Sequence, residues 1–358
     1  MKRVAGLLVA FFLIEYLVLP RLVRQRGHLN LLTHVNLWFV AAGLVLEAAS
    51  LIAYALLTRA ILSQFGKPPR LRTVIQVDLS TLALTRVLPG GSAAGTGLGF
   101  RLLTGLGYSK ADAGLTLAVQ SVGSAAILNA LLWIGLVISI PLRALHRSGA
   151  SASALPKTLY VTAALFGAFL VGFFGFVVIS LTRGEVRSLR VVRAVARRVR
   201  FIKEDTVVGL VERVADQLRT LGSNRQLLLR EIAFASANWL LDAGALWVLV
   251  AAFHYHLSVD ALLIAYALAN VVAAIPITPG GLGVVEVVLT STLTAFGAPG
   301  QVAALGVIAY RLVSFWLPIP VGGIAYLTLK LDPRFKGRQQ EAEGVGSSSS
   351  EGERGAGE

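Results

Sequence analysis

Pro276-Ile277-Thr278-Pro279-Gly280-Gly281-Leu282-Gly283 lies between two apolar segments, 258–276 and 283–297, and breaks the run they would otherwise form. The tripeptide Pro89-Gly90-Gly91 does the same between 73–88 and 93–106. Proline removes a backbone donor and glycine a Cβ, so a helix does not run smoothly through either site. Lipid cannot hydrogen-bond a broken backbone, so a break at membrane depth survives only inside protein or against a wet cavity. Charged residues flank both: Arg86 and Arg101 at the first, Glu286 after the second. Paired interruptions at matching places in two halves point to a binding site.

The rest of the chain fits a membrane setting. It has 358 residues, of which 55% are hydrophobic and 15% charged, against about 25% charged in soluble domains. Further apolar segments fall near 4–20, 34–63, 112–141, 157–182, 230–253 and 301–331, separated by short basic loops. A full span needs about 20 residues. The four segments beside the Pro-Gly-Gly breaks are mostly shorter than that and read as re-entrant hairpins. The expected fold over 1–336 is an all-α polytopic membrane protein with about six transmembrane helices plus two re-entrant helical hairpins. Gly90 and Gly280 stand 190 residues apart (280 − 90), and that shift carries 34–63 onto 224–253 and 112–141 onto 302–331. The two halves therefore read as an inverted repeat.

Arg and Lys set the expected orientation. The 183–230 connection carries Arg183, Arg187, Arg190, Arg193, Arg197, Arg198, Arg200 and Lys203, whereas the loops at 254–258 and 297–301 carry neither residue type. The first belongs in the cytoplasm and the latter two outside, which also places both termini in the cytoplasm of a multi-pass cell-membrane protein. Arg21, Arg24 and Arg26 oppose this scheme for the first span. Glu15 interrupts the first apolar run and no small-residue cleavage site follows, so 4–20 reads as a retained span rather than a signal peptide. Within 183–229, Val186, Leu189, Val192, Val195, Val199 and Ile202 recur at helical spacing opposite the arginines. This is either a basic amphipathic helix on anionic inner-leaflet lipids or a solvated helical hairpin. Residues 337–358 are rich in Gly, Ser and Glu and read as a disordered tail. The net charge of +14 sits mostly between apolar segments, which favours a lipid surface and no nucleic acid.

Arg86, Arg101, Glu286 and Arg311 would together cost on the order of 10 kcal/mol facing lipid. They must face one another or water. Arg86 closes the helix before Pro89-Gly90-Gly91, and the next helix offers free amides near Ser92, with Gly95, Gly97 and Gly99 following. Free amides flanked by two guanidiniums describe a phosphate site. Alternatively, the glycines serve helix packing and the arginines pair with Asp78 or Glu47. Glu286, following Pro279-Gly280-Gly281, has Arg311 as its expected partner. Asn129, Asn238 and Asn270 read as interhelical hydrogen-bonding groups, and Asp242 as either a partner for a buried cation or a proton carrier.

Other chemistry finds no support. Gly95-Thr96-Gly97-Leu98-Gly99 lacks the Gly-Lys-Ser/Thr of a P-loop. His254 and His256 show no third ligand, and cysteine is absent. No catalytic residue, metal or cofactor is expected.

The stretch from Thr85 through Pro89-Gly90-Gly91 to Arg101, then Pro276 to Gly283 with Glu286, and finally Tyr310-Arg311, resembles the lysylphosphatidylglycerol synthase transmembrane (flippase-like, UPF0104) family over about 4–331. The second motif is the specific one; the first departs from the family after Gly91. In larger members of that family this module moves an aminoacylated phospholipid that a separate soluble domain makes. The resemblance implies a lipid translocator for a phospholipid or polyprenyl-phosphate lipid. The substrate-binding set would be Arg86, Pro89, Gly90, Gly91, Arg101, Pro279, Gly280, Gly281, Glu286 and Arg311. An enzyme or accessory subunit of polyprenyl-phosphate-linked glycosylation or lipid modification is the alternative.

Overall fold

The computed structural model describes residues 35–88, 91–145, 225–273, 278–333 and 335. Eight helices order these residues: α1 (Leu37–Leu62), α2 (Leu71–Val87), α3 (Gly91–Gly105), α4 (Lys110–Leu145), α5 (Arg225–Ala251), α6 (Val259–Ala273), α7 (Val284–Ala295) and α8 (Gly300–Leu331). A π-helical turn at Leu312–Trp316 interrupts α8. Among the described residues, four stretches are long and apolar enough to cross a membrane: Leu37–Phe65, Lys110–Gly135, Gln226–Ala251 and Gly300–Leu331. They coincide with the segments read from sequence at 34–63, 112–141, 230–253 and 301–331. The spans expected at 4–20 and 157–182 and the tail at 337–358 lie outside the described residues. Of the amphipathic segment 183–229 only 225–229 is described, as the first turn of α5.

The remaining four helices are short for good local reasons. Helices α2 and α3 have 17 and 15 residues, and α6 and α7 have 15 and 12. At about 1.5 Å per residue they reach about 18–26 Å, less than the ~30 Å hydrocarbon core. Each pair packs on itself as a helical hairpin. A Cβ at Gly91 or Gly95 would collide with Thr85, and at Gly99 it would press on Leu117 and Thr81. This four-residue glycine spacing lets α3 lie close along α2. The second break bends through Gly280 (φ 56°), Gly281 (φ 71°) and Gly283 (φ 77°), left-handed backbone that glycine adopts without steric cost.

Packing registers relate the two sets of four helices. Gly43 meets Leu249, Gly244 meets Leu46, Ser50 bonds Asn238 and Gln64 bonds Glu231. Residue numbers rise along α1 as they fall along α5, so these helices run antiparallel although the 190-residue shift makes them equivalent. The correspondence extends to the other contacts. Helix α2 packs on α8, and α6 packs on α4, so each hairpin rests on the last long helix of the other set. Small residues sit at both crossings: Gly322 against Leu79 and Ala83, Gly135 against Leu263 and Ile264. Without a hydrophobic drive between helices in lipid, such close backbone approach supplies much of the association energy.

Candidate anion site at the meeting of the two breaks

Three features of the sequence converge on Phe315. Pro318 and Pro320 carry no N–H, so carbonyls in the preceding turn lose helical donors. The π turn accommodates this, with Leu317 N–H donating to the Leu312 carbonyl at 3.0 Å. Its geometry turns Phe315 inward, where the ring is 2% exposed. Arg86, at the end of α2, donates from Nη1 to the Phe315 carbonyl at 3.1 Å. Its guanidinium carbon also lies 5.5 Å from the centre of the Phe315 ring. Arg311 stacks on the same ring at 4.2 Å. One aromatic ring thus lies beside two cations, a stabilising arrangement worth about 2 kcal/mol per contact when desolvated.

Arg311 is the better satisfied of the two. Its Nε donates to Glu286 Oε1 at 2.6 Å and its Nη2 to the Gly280 carbonyl at 3.3 Å. The ion pair expected from sequence is therefore formed, with side chains 11% and 19% exposed. Gly280 has no room for a side chain: a Cβ there would strike the Phe315 ring and approach Arg86 Cα to 3.5 Å. The second break is thereby docked against the end of the first hairpin's leading helix. Glu286 Oε2 is buried without a hydrogen-bond partner among the described residues.

Arg86 is half-buried and has a single hydrogen bond among the described residues. A guanidinium carries five N–H donors. That leaves four donors without a protein acceptor among the described residues. Arg86 also interacts electrostatically with two carboxyl groups, Glu47 of α1 and Asp242 of α5.

Several sequence expectations receive a more specific structural account. Arg101 is exposed on α3, about 15 Å along the helix from Gly91, and does not meet Phe315. Gly91, Gly95 and Gly99 serve hairpin packing, while nothing lies within 4 Å of a Cβ at Gly97. Asp78 accepts the Thr58 hydroxyl at 2.9 Å, and Gln120 donates to that hydroxyl at 2.6 Å. It is part of an α1–α2–α4 contact rather than an arginine partner. Asn238 bridges helices through Ser50, but Asn129 and Asn270 bond the carbonyls of Ala125 and Tyr266 in their own helices. Asp242 is held by tyrosines, Tyr266 at 2.6 Å and Tyr310 at 2.9 Å. Pro89 and Gly90 lie outside the described residues. Among the described residues, no group of three or more His, Asp or Glu is placed to hold a metal ion.

Sequence relationships agree with this architecture. The family described as "Lysylphosphatidylglycerol synthase TM region" matches residues 3–322. The chain belongs to this family. Within the lysylphosphatidylglycerol synthase TM region family, similar curated proteins come from archaea and a cyanobacterium. A UPF0104 membrane protein of Methanothermobacter thermautotrophicus is 28% identical over 170 residues, 45% of this chain and 51% of that protein. An uncharacterized protein of Synechocystis sp. is 35% identical over 121 residues, 34% of this chain and 36% of its own length. A UPF0104 membrane protein of Pyrococcus horikoshii is 41% identical over 56 residues, 16% of this chain and 17% of that protein. The chain thus spans about half or less of these relatives. The family is described by its transmembrane region, and the chain is a membrane module of that kind.

Proposed function

We propose that the chain translocates a phosphate-bearing lipid across the cytoplasmic membrane. The observation that carries this reading is Arg86: a half-buried guanidinium with one hydrogen bond, at the meeting of two helix breaks, between long apolar helices. Charge at membrane depth is retained where it has work to do, and a planar guanidinium suits phosphate oxygens. Glu286, Arg311 and Gly280 fix the second break against Phe315 and so shape the far wall. The breaks themselves, Pro89-Gly90-Gly91 and Pro279-Gly280-Gly281, give the headgroup its way in.

Arg101 takes an earlier place on the path. The exposed face of α3 carries Ser92, Thr96, Gly97 and Arg101, a small and hydroxylated surface along which a headgroup slides toward Arg86 while the acyl chains stay in lipid. The antiparallel register of α1 and α5 supports an inverted repeat, with the hairpins as re-entrant elements entering from opposite faces and both termini cytoplasmic. Two conformations related by the pseudo-twofold would then expose one headgroup site to either side in turn.

Purified protein in vesicles with a trace of fluorescent lipid tests this. Anionic glycerophospholipid is expected to become accessible to an outside quencher faster than in empty vesicles, and a neutral glycolipid of equal chain length is not. Equal rates with and without protein, across anionic and polyprenyl-phosphate lipids, would end the proposal.

A further inference from the structure

Behind the anion site lies a carboxyl pair that the translocation reading does not use. Glu47 is 5% exposed near the middle of α1, and its Oε2 is buried without a hydrogen-bond partner among the described residues. The antiparallel register of α1 and α5, which sets Leu46 against Gly244 and bonds Ser50 to Asn238, brings Glu47 abreast of Asp242 on α5, where the two carboxyl groups act on each other electrostatically. Asp242 already accepts two hydroxyls, from Tyr266 of α6 and Tyr310 of α8. Arg86 of α2 interacts electrostatically with both carboxyls, with Tyr310 and with Arg311 of α8. Arg311 in turn is paired with Glu286 of α7. Among the described residues, these are the titratable and charged groups that face the pair from the helices around it.

We infer that Glu47 and Asp242 form a proton-binding site that couples lipid translocation to the transmembrane pH gradient, through the Arg86 they share with the headgroup. The inference rests on the proposed translocation for its transport role but not for the proton site itself. Two carboxylates side by side, the one at Glu47 buried, repel each other, and sharing a proton settles the conflict. The hydroxyls of Tyr266 and Tyr310 hold Asp242 as the acceptor, which leaves the first proton on Glu47. With that proton in place the cluster is neutral: the charges of Arg86 and Arg311 offset those of Asp242 and Glu286.

A headgroup phosphate arriving at Arg86 adds one negative charge and withdraws the cation from the pair. A second proton, taken up by the carboxyl pair, restores neutrality, and the tyrosine hydroxyls can rotate from donors to acceptors of a new O–H. Release on the other side reverses both steps. One proton enters with one phosphate monoanion and leaves with it, so atoms and charge balance. The transport is an electroneutral symport. By linkage, protonation must tighten headgroup binding by the same factor as headgroup binding favours protonation, within the ~5–150-fold usual for such coupling.

The site is tested first without transport. Infrared difference spectra of the purified protein at neutral pH should contain a protonated carboxylic acid stretch that Glu47→Gln removes. Titration with a short-chain phosphatidylglycerol, a phosphodiester monoanion that does not itself titrate near neutral pH, should take up close to one proton per molecule bound, seen as dependence of the binding heat on buffer. No acid stretch altered by Glu47→Gln or Asp242→Asn, together with no proton uptake, would overturn the inference. The coupling is tested in vesicles. A gradient of one pH unit should drive the steady-state lipid asymmetry of the wild type about tenfold, with no response to a potassium diffusion potential. Asp242→Asn should bring the ratio of the two leaflets to one under the same gradient, and Asp242→Glu should restore part of the asymmetry. A wild type that translocates but ignores the pH gradient overturns the symport and leaves the translocation reading standing. A wild type that moves no lipid under any condition removes that reading and the symport with it, and the infrared and titration results then decide the proton site alone.

Discussion

Breaking the Glu286–Arg311 pair should cost unequal amounts depending on which partner is removed. Removing one member of a buried ion pair typically costs about 3–5 kcal/mol, because the other is left charged and unpaired. In Glu286→Ala, Arg311 keeps the Gly280 carbonyl at 3.3 Å and the Phe315 ring at 4.2 Å, so the loss should fall near the lower end, ~3 kcal/mol. In Arg311→Ala the stacking contact, about 2 kcal/mol when desolvated, and the tie to Gly280 disappear as well, and the loss should reach ~5 kcal/mol or more. The double alanine variant should lose less than the sum, since neither charge is then stranded. Thermal unfolding in detergent reads this directly: at about 2–4 °C per kcal/mol for a chain of this order, Glu286→Ala should unfold roughly 6–12 °C below the wild type. Exchanging the two residues should restore only part of the loss, because an arginine at 286 is no longer placed for the Gly280 carbonyl. Wild-type stability of Glu286→Ala, or a smaller loss in Arg311→Ala than in Glu286→Ala, would show that the pair does not hold the second break in place.

Two neighbouring glycines of α3 should respond in opposite directions. Gly95→Ala drives a Cβ into Thr85 and to 2.9 Å from the Thr81 carbonyl, an overpacking cost of about 1–3 kcal/mol; Gly97→Ala meets open space and should be neutral or stabilising by up to about 1 kcal/mol through helix propensity. Equal unfolding temperatures for the two variants would contradict the hairpin packing. The inverted arrangement is checked by accessibility, for which the absence of cysteine gives a clean background. Lys67→Cys should react with an impermeant thiol reagent only from the cytoplasm, and Gln301→Cys only from outside. Reaction of both from one face would contradict the inversion.

Hydropathy placed the long helices to within a few residues, because lipid tolerates few other patterns, and the two Pro-Gly-Gly breaks located the hairpins. The Glu286–Arg311 pair was legible too, since each charge needed a partner and few were available. Phe315 was not. One phenylalanine among apolar neighbours looks lipid-facing until the π turn ahead of Pro318 rotates it between two arginines. Glu47 and Asp242 also escaped as a pair, because nothing in their spacing states that α1 and α5 cross antiparallel with those residues abreast. Arg101 reads beside Arg86 because a sequence gives proximity along the chain, whereas α3 carries its eleventh residue away from the break. The same gap explains the asparagines: Asn129 and Asn270 had a carbonyl of their own helix within reach, and a sequence does not tell which acceptor a side chain prefers.

In the proposed translocation, Arg86 holds a phosphate headgroup on its way across the membrane. Reconstituted Arg86→Lys and Arg86→Gln variants test it most directly, each beside the wild type in vesicles carrying a fluorescent anionic lipid. Lysine keeps the charge but loses the planar fork, so its rate should fall well below the wild type, and glutamine should lower it to that of empty vesicles, with both proteins still folded. A folded Arg86→Gln protein that moves the anionic lipid at the wild-type rate would contradict the account, and the headgroup path would then have to run elsewhere.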